Sequence, residues 1–335
     1  MAKAADRLIE IWRGDFCESV HRGHIAIWHA ETGLIAEWGD ADQVILPRSS
    51  AKLLQALPLV ESGAADAAGL TPAHLALACA SHQGATLHTG RVSRWLSDLG
   101  LDESALRCGP EWPRDETTCH AMICEGAACT QEHNNCSGKH TGFLTLNRHL
   151  NGDAEYLDPA HPVQIAVLAA IEDVAEEDTK GHAIDGCSAP NFAMSLSGLA
   201  RAMARVAAAQ ETSARERAMV RLRDAMMAHP DLVAGEGRAC TRLMRAMGSG
   251  AAIKTGAEGV FVACVPSRRL GVALKIEDGT TRASEAAITQ LLVGMGLLDK
   301  ADPVAQAYTH GPIRNRRGIV TGSVKPAASL VGWHP

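Results

Sequence analysis

The sequence predicts an α/β (α+β) fold, with a sheet built from both chain ends and flanked by helices around a mainly helical middle region. Three observations predict it. Residues 7–38 carry β-rich extended runs, and residues 49–250 are dominated by helical periodicity. Residues 252–277 then return to strand-like segments, "AAIKTG", "GVFVACV" and "LGVALKI". A single domain over 1–335 is expected, its sheet-forming parts at about 5–48 and 251–335 and its helical part at about 49–250.

The elements follow in order. "HIAIWHAETGLIAEWGD" reads as two strands around the turn Glu31-Thr32-Gly33. Pro47 bars continuation of what precedes it. Leu53, Leu54, Leu57 and Leu59 then form an apolar stripe that Gly63 ends, which predicts one short amphipathic helix. Thr71-Pro72 opens a second helix, and "TGRVSRWLSDLG" ends a third at Gly100. Residues 107–135 read as a long irregular stretch, the kind that often carries function. Helical patterns return at 162–176, 193–209, 213–228 and 238–247, and "TRASEAAITQLLVGMGLL" is a last helix.

Composition narrows the classes. Of the residues, 46% are hydrophobic and 21% charged, as in an ordinary globular protein. The formal net charge of −6 argues against nucleic acid as the main partner. No window is long and apolar enough to span a membrane, so a membrane partner is not expected. The start, "MAKAADRLIEIWRGDF", has no apolar h-region, so the expected location is cytoplasmic. There the ten cysteines are expected as reduced thiols or ligands. Cys119, Cys124 and Cys129 are each five apart, a spacing that matches no common iron–sulfur pattern.

Four segments carry chemistry. In "PRSSAK", helical spacing pairs Ser49 with Lys52 and leaves Ser50 facing elsewhere. A serine hydroxyl is a poor nucleophile at neutral pH and needs a base, which a neutral lysine supplies. The plain alternative is a capping serine beside a solvated lysine. In "LALACASHQG", a nearly continuous apolar run ends at Ser81-His82-Gln83-Gly84. This is either a buried helix with a polar stop or a second hydroxyl at a cavity edge. In "AAIKTGAEGVFVACV", Lys254-Thr255-Gly256 offers a cation, a hydroxyl and a close backbone approach. Serine, Ser-x-x-Lys lysine, second serine and Lys-Thr-Gly in this order form the layout of serine β-lactamases and penicillin-binding proteins. Gln83 departs from it, since those enzymes usually carry Asn two residues after the middle serine. Finally, "NNCSGKHTGFL" puts Cys136 and Lys139 where a helix begins, with Asn135 or Ser137 as caps, and "IDGCSAP" puts Asp185 and Cys187 on a turn. Zinc binds thiolate, imidazole or carboxylate, and less commonly neutral lysine; core thiols and a capped helix are the alternative.

Together, "PRSSAK", "ASHQG", "NNCSGKHTGFL", "IDGCSAP" and "KTGAEGVF" resemble the rhizobial-type L-asparaginases, the third structural class of asparaginase. The resemblance implies a fold like that of serine β-lactamases and glutaminases, forming a single catalytic domain. It implies hydrolysis of L-asparagine to L-aspartate and ammonia by a homodimer. Ser49 with Lys52, and Ser81 with Lys254, are then its two Ser-Lys tandems. Cys136, Lys139 and Cys187 are its zinc (Zn2+) ligands, with water completing the site. Asp185 is a neighbour of that water, and Arg48 and His140 are pocket residues that bind substrate. A β-lactamase-like or peptidase-like serine acylase, or a non-enzymatic zinc-binding thiol protein, fits the separate motifs as well.

Overall fold

The computed structural model describes residues 3–334. Its chain divides into two compact units.

The first unit comprises residues 3–50, 194–208 and 242–334. Its centre is an eight-stranded sheet, antiparallel in every pairing. From edge to edge the order is Pro312–Arg314, Val320–Pro326, Asp6–Arg13, Phe16–His29, Leu270–Ile276, Val260–Val265 and Ala252–Thr255, and Gly33–Trp38 also pairs with Phe16–His29. Both chain ends therefore enter one sheet. Val260–Val265 is buried at every residue and Leu270–Ile276 at all but one. Successive side chains point to opposite faces, so the sheet is covered on both sides there. The helices Leu196–Ala208 and Thr281–Gly294 pack against its strands. Gly271 makes one approach possible, since a Cβ there would run into the Ala200 carbonyl and the Ala204 amide of the first helix.

The second unit comprises residues 51–193 and 209–241. It is mainly helical, with one short hairpin, His182–Ile184 against Pro190–Phe192. Its central helix, Ser137–Leu150, is buried at every position from Ser137 to Asn147. A helix hidden all round is usually apolar all round. This one buries Ser137, Lys139, His140, Thr141, Thr145 and Asn147. The threonines settle their hydroxyls within the helix, on the Ser137 and Thr141 carbonyls. Lys139 and His140 do not, which marks this helix as more than scaffold. Gly138 lets its first turn lie on the helix Pro72–Ala78, because a Cβ there would strike the Leu77 carbonyl.

Most expected helices form: Pro162–Ala175, Leu196–Ala208, Ala214–Ala228 and Ala239–Met247. Two local expectations change. The helix predicted after Pro47 is three pieces, a 3-10 turn Arg48–Ala51, then Lys52–Gln55 and Leu57–Glu61. Pro58 has no amide proton to give the Leu54 carbonyl, so the first α-helical segment stops short of it. The stretch expected as irregular contains a helix, Glu116–Glu125. Asp115 caps it, accepting from the Thr118 amide at 2.9 Å, and Gly126 ends it in the left-handed region at φ 66°.

Candidate active site

The second unit holds seven of the ten predicted residues: Lys52, Ser81, Cys136, Lys139, His140, Asp185 and Cys187. Lys52 is 0% exposed. Its Nζ donates to Ser81 Oγ at 2.9 Å, to Cys136 Sγ at 3.1 Å and to the Ala80 carbonyl. Lys52 thus bridges the hydroxyl and thiol groups that the sequence singled out separately.

Ser81 is held by its backbone. Its amide donates to the Val233 carbonyl at 2.9 Å, and the next amide, of His82, to the Asn135 carbonyl at 3.2 Å. The His82 ring fastens this turn to the central helix. Its Nδ1 accepts from the Gly84 amide, so Nε2 carries the proton and donates to Ser137 Oγ at 3.0 Å. Burial, followed by the nearby cations, drives the His82 pKa well down, so the ring is neutral. Gln83, the departure from the β-lactamase layout, turns away to donate to Asp115 at 3.0 Å.

Cys136 stands at the start of the central helix, in its N-cap position, and neither Asn135 nor Ser137 takes that place. The Asn134 side chain supports it by accepting from the Cys136 amide at 2.8 Å. Lys139 lies one turn on and donates to Cys187 Sγ at 3.1 Å. Cys187 comes from the turn of the short hairpin. That turn is closed by the Asp185 amide on the Ala189 carbonyl and by the Gly186 amide on Asp185 Oδ1, and Ser188 sits in it at φ 68°. Cys136, Lys139 and Cys187 are each 3% exposed, and Asp185 Oδ2 is 3.8 Å from Cys187 Sγ.

Cys136 Sγ donates to Asn135 Oδ1 at 3.2 Å. The interaction of Cys136 with Cys187 raises the pKa of the first thiol and lowers that of the second, and burial opposes the charged form of Cys187 while Lys139 favours it. Burial alone would lower Lys139, but the Cys187 and Cys136 thiols beside it outweigh that and its pKa is raised. His140, on the same helix, is lowered by burial. Its Nδ1 meets the Tyr156 hydroxyl at 2.9 Å, and its Nε2 is buried with no partner in hydrogen-bond geometry.

These groups fit zinc. Two convergent thiols and an amine, which would give up its proton on binding, are soft or borderline donors held close together. Among the described residues no trio of His, Cys, Asp or Glu forms a metal cluster, so a metal held here would need the lysine as its third donor.

The first unit holds the other predicted residues. Arg48 has φ 54°, the left-handed region that bulky residues seldom enter, and such strain is often stored at functional sites. The two adjacent serines differ. Ser50 is 0% exposed and donates to the Pro47 carbonyl at 2.7 Å, whereas Ser49 is half-buried. Lys254 is 2% exposed on the edge strand Ala252–Thr255 and donates to the Thr255 carbonyl at 2.8 Å. Gly256 brings that strand onto the serine turn. A Cβ there would lie 2.8 Å from the Pro47 carbonyl and 3.2 Å from the Ser50 amide.

Sequence reasoning missed Tyr156, His82 and Glu111. Tyr156 is one of only two tyrosines, a usable signal. Glu111 accepts from the amide and side chain of Asn135, the residue before Cys136.

A helical unit and an antiparallel-sheet unit thus bury lysines, serines and thiols. The chain belongs to the L-asparaginase II family, whose model matches residues 9–326. It is an L-asparaginase, an enzyme that hydrolyses asparagine. No curated protein matches the sequence. Among solved structures it is similar to a putative β-lactamase from Bacteroides dorei, at 10% identity and TM-score 0.41, over 76% of this chain and 84% of that one. The protein called Mglu is 14% identical at TM-score 0.44, over 88% of this chain and 64% of that one. A β-lactamase from Mycobacterium bovis is 12% identical at TM-score 0.39, over 81% of this chain and 93% of that one. No helix among the described residues is long and apolar enough to cross a membrane.

Proposed function

We propose that the enzyme deamidates L-asparagine through an acyl-enzyme on Ser49, with Lys52 as base. The observation that carries this reading is the 2.9 Å contact of the buried Lys52 with Ser81, with the Cys136 thiol 3.1 Å from the same amine. The choice of Ser49 is supported by Ser50 being tied to the Pro47 carbonyl. It is supported also by the 3-10 turn Arg48–Ala51, where residues three apart eclipse. Ser49 Oγ attacks the side-chain amide carbon, and its proton passes to Lys52. The C–N bond then breaks, and the proton leaves on ammonia, relayed with the help of Ser81. Water attacks the resulting ester, Lys52 takes the water's proton and passes it to Ser49 Oγ as the ester C–O bond breaks, and aspartate departs with Ser49 and Lys52 restored. Lys254 completes the second tandem by resemblance. Arg48, His140 and Asp185 orient the substrate.

Cys136, Lys139 and Cys187 would hold zinc, whose Lewis acidity would fix the substrate's polar groups while serine and lysine cut the bond. The working form in this proposal is a cytoplasmic homodimer. Ammonia release from asparagine by the wild type and Ser49→Ala, with zinc measured in both samples, tests the reading. Turnover should vanish in Ser49→Ala while zinc stays. Retained turnover would remove Ser49 as nucleophile, and wild-type protein unable to take up zinc would remove the metal.

A further inference from the structure

The Tyr156 hydroxyl lies between two nitrogens. The Arg107 backbone N–H donates to it at 2.9 Å, and His140 Nδ1 is 2.9 Å away. These are its hydrogen-bond partners among the described residues. A backbone amide can only donate. The phenol has one proton to give, and His140 Nδ1 is the acceptor in reach. Were Nδ1 protonated instead, two donors would face one oxygen, and a buried phenol proton would have no acceptor. Nδ1 is therefore bare. A neutral imidazole with a bare Nδ1 carries its proton on Nε2.

The arrangement is built in rather than incidental. Tyr156 and His140 are each 0% exposed, and their rings meet edge to face. Gln164 anchors Tyr156 through its carbonyl at 2.9 Å, and the Arg107 side chain reaches Glu155 at 3.1 Å, which ties both ends of the relay. At the far side of the ring, Nε2 is buried with no hydrogen-bond partner. A nitrogen that bears a proton cannot ligate a metal, but it can donate to a thiolate or an anionic group.

We propose that Tyr156 is a positioning residue which, backed by the Arg107 amide, fixes His140 as the Nε2–H tautomer, so that the unpartnered nitrogen offers a hydrogen-bond donor and not a further metal ligand. This rests on the proposed function only in taking the thiol pair as part of the active pocket.

The test needs neither turnover nor metal. Full-length protein labelled with 15N-histidine and stripped of metal by chelation is studied by NMR correlation of ring nitrogens with carbon-bound ring protons. The His140 signals are those lost in His140→Gln or, if that variant does not fold, in His140→Asn. The wild type should show His140 with Nε2 protonated and Nδ1 bare. Tyr156→Phe, with an unchanged circular dichroism spectrum, should show a mixture of tautomers or a switch to Nδ1–H. A wild-type ring protonated on Nδ1 overturns the proposal, as does an identical His140 pattern in folded Tyr156→Phe. If Tyr156→Phe does not fold, the wild-type pattern decides alone. Failure of Ser49 or zinc in the turnover assays would leave this result untouched, so the two readings fail separately.

Discussion

Lys52 Nζ reaches Ser81 Oγ at 2.9 Å and Cys136 Sγ at 3.1 Å from a fully buried position. One amine thus ties the lysine–serine machinery to the thiol pair. Removing it strips the proposed mechanism of its base and leaves Cys136 without its amine partner. Lys52→Met should lower kcat/KM by about 10²–10⁴-fold, the usual worth of a positioned general base. Ammonia release at saturating and limiting asparagine measures it. A loss confined to KM would recast Lys52 as a binding residue.

Ser50 gives the internal control. Its hydroxyl is spent on the Pro47 carbonyl at 2.7 Å, so it is structural in this account. Ser50→Ala should cost about 1 kcal/mol of stability and retain measurable turnover. Thermal unfolding and the ammonia assay read the two effects. A well-folded but inactive Ser50→Ala would move the nucleophile to this residue.

Zinc retention should track the thiols. Cys136→Ser and Cys187→Ser should lose stoichiometric zinc, and Lys139→Ala should bind it more weakly, because the amine is the least tightly bound of the three donors. Since serine and lysine perform the cleavage in the proposed scheme, chelation should raise KM more than it lowers kcat. Metal analysis with kinetics on the same samples checks both. Full zinc in all three variants would abolish the assignment.

Gly271 is a packing device. A Cβ there would enter the backbone of the helix Leu196–Ala208 at Ala200 and Ala204. Gly271→Ala should therefore destabilise the fold by about 1–3 kcal/mol, an overpacking cost. Urea unfolding gives the change in midpoint, and an unshifted midpoint would mean that helix and sheet separate freely.

Asp278 sets a pH dependence away from the site. Burial pushes its carboxyl up, but hydrogen bonds from Thr280 and His21 win and hold the pKa near about 2, below the ordinary 3.8. A folded-state value below the unfolded one stabilises the protein above the unfolded value, and the gain is lost as pH falls through the folded value. The side chain is 47% exposed, so screening holds the gain to less than about 1 kcal/mol. Asp278→Asn should be less stable than wild type at pH 7, and the gap should close by pH 2. A gap that persists unchanged at pH 2 would show that charge is not its source.

Much of this was legible in the sequence because it is periodic. Helices such as Pro162–Ala175 and Leu196–Ala208 announce themselves by apolar spacing. Strands such as Val260–Val265 do so by unbroken apolar runs that include β-branched and aromatic residues. Cys136 and Lys139 were visible as one turn of one helix. What sequence could not supply was convergence. Cys187 arrives from a hairpin turn, and Tyr156 from a loop that the Arg107 side chain clasps at Glu155. Neither has a periodic signal, since each is placed by tertiary contacts. The break before Leu57 was readable from Pro58, but the apolar stripe running through it masked the signal.

The central claim is that the acyl group is carried by Ser49. The most direct measurement is mass spectrometry of peptides from wild-type enzyme quenched by acid during steady-state turnover of asparagine. The account predicts an aspartyl adduct on the peptide containing Ser49, with fragment ions placing it on Ser49 and not on Ser50, and no adduct in Ser49→Ala. An adduct on Ser50, Ser81 or a cysteine would contradict it.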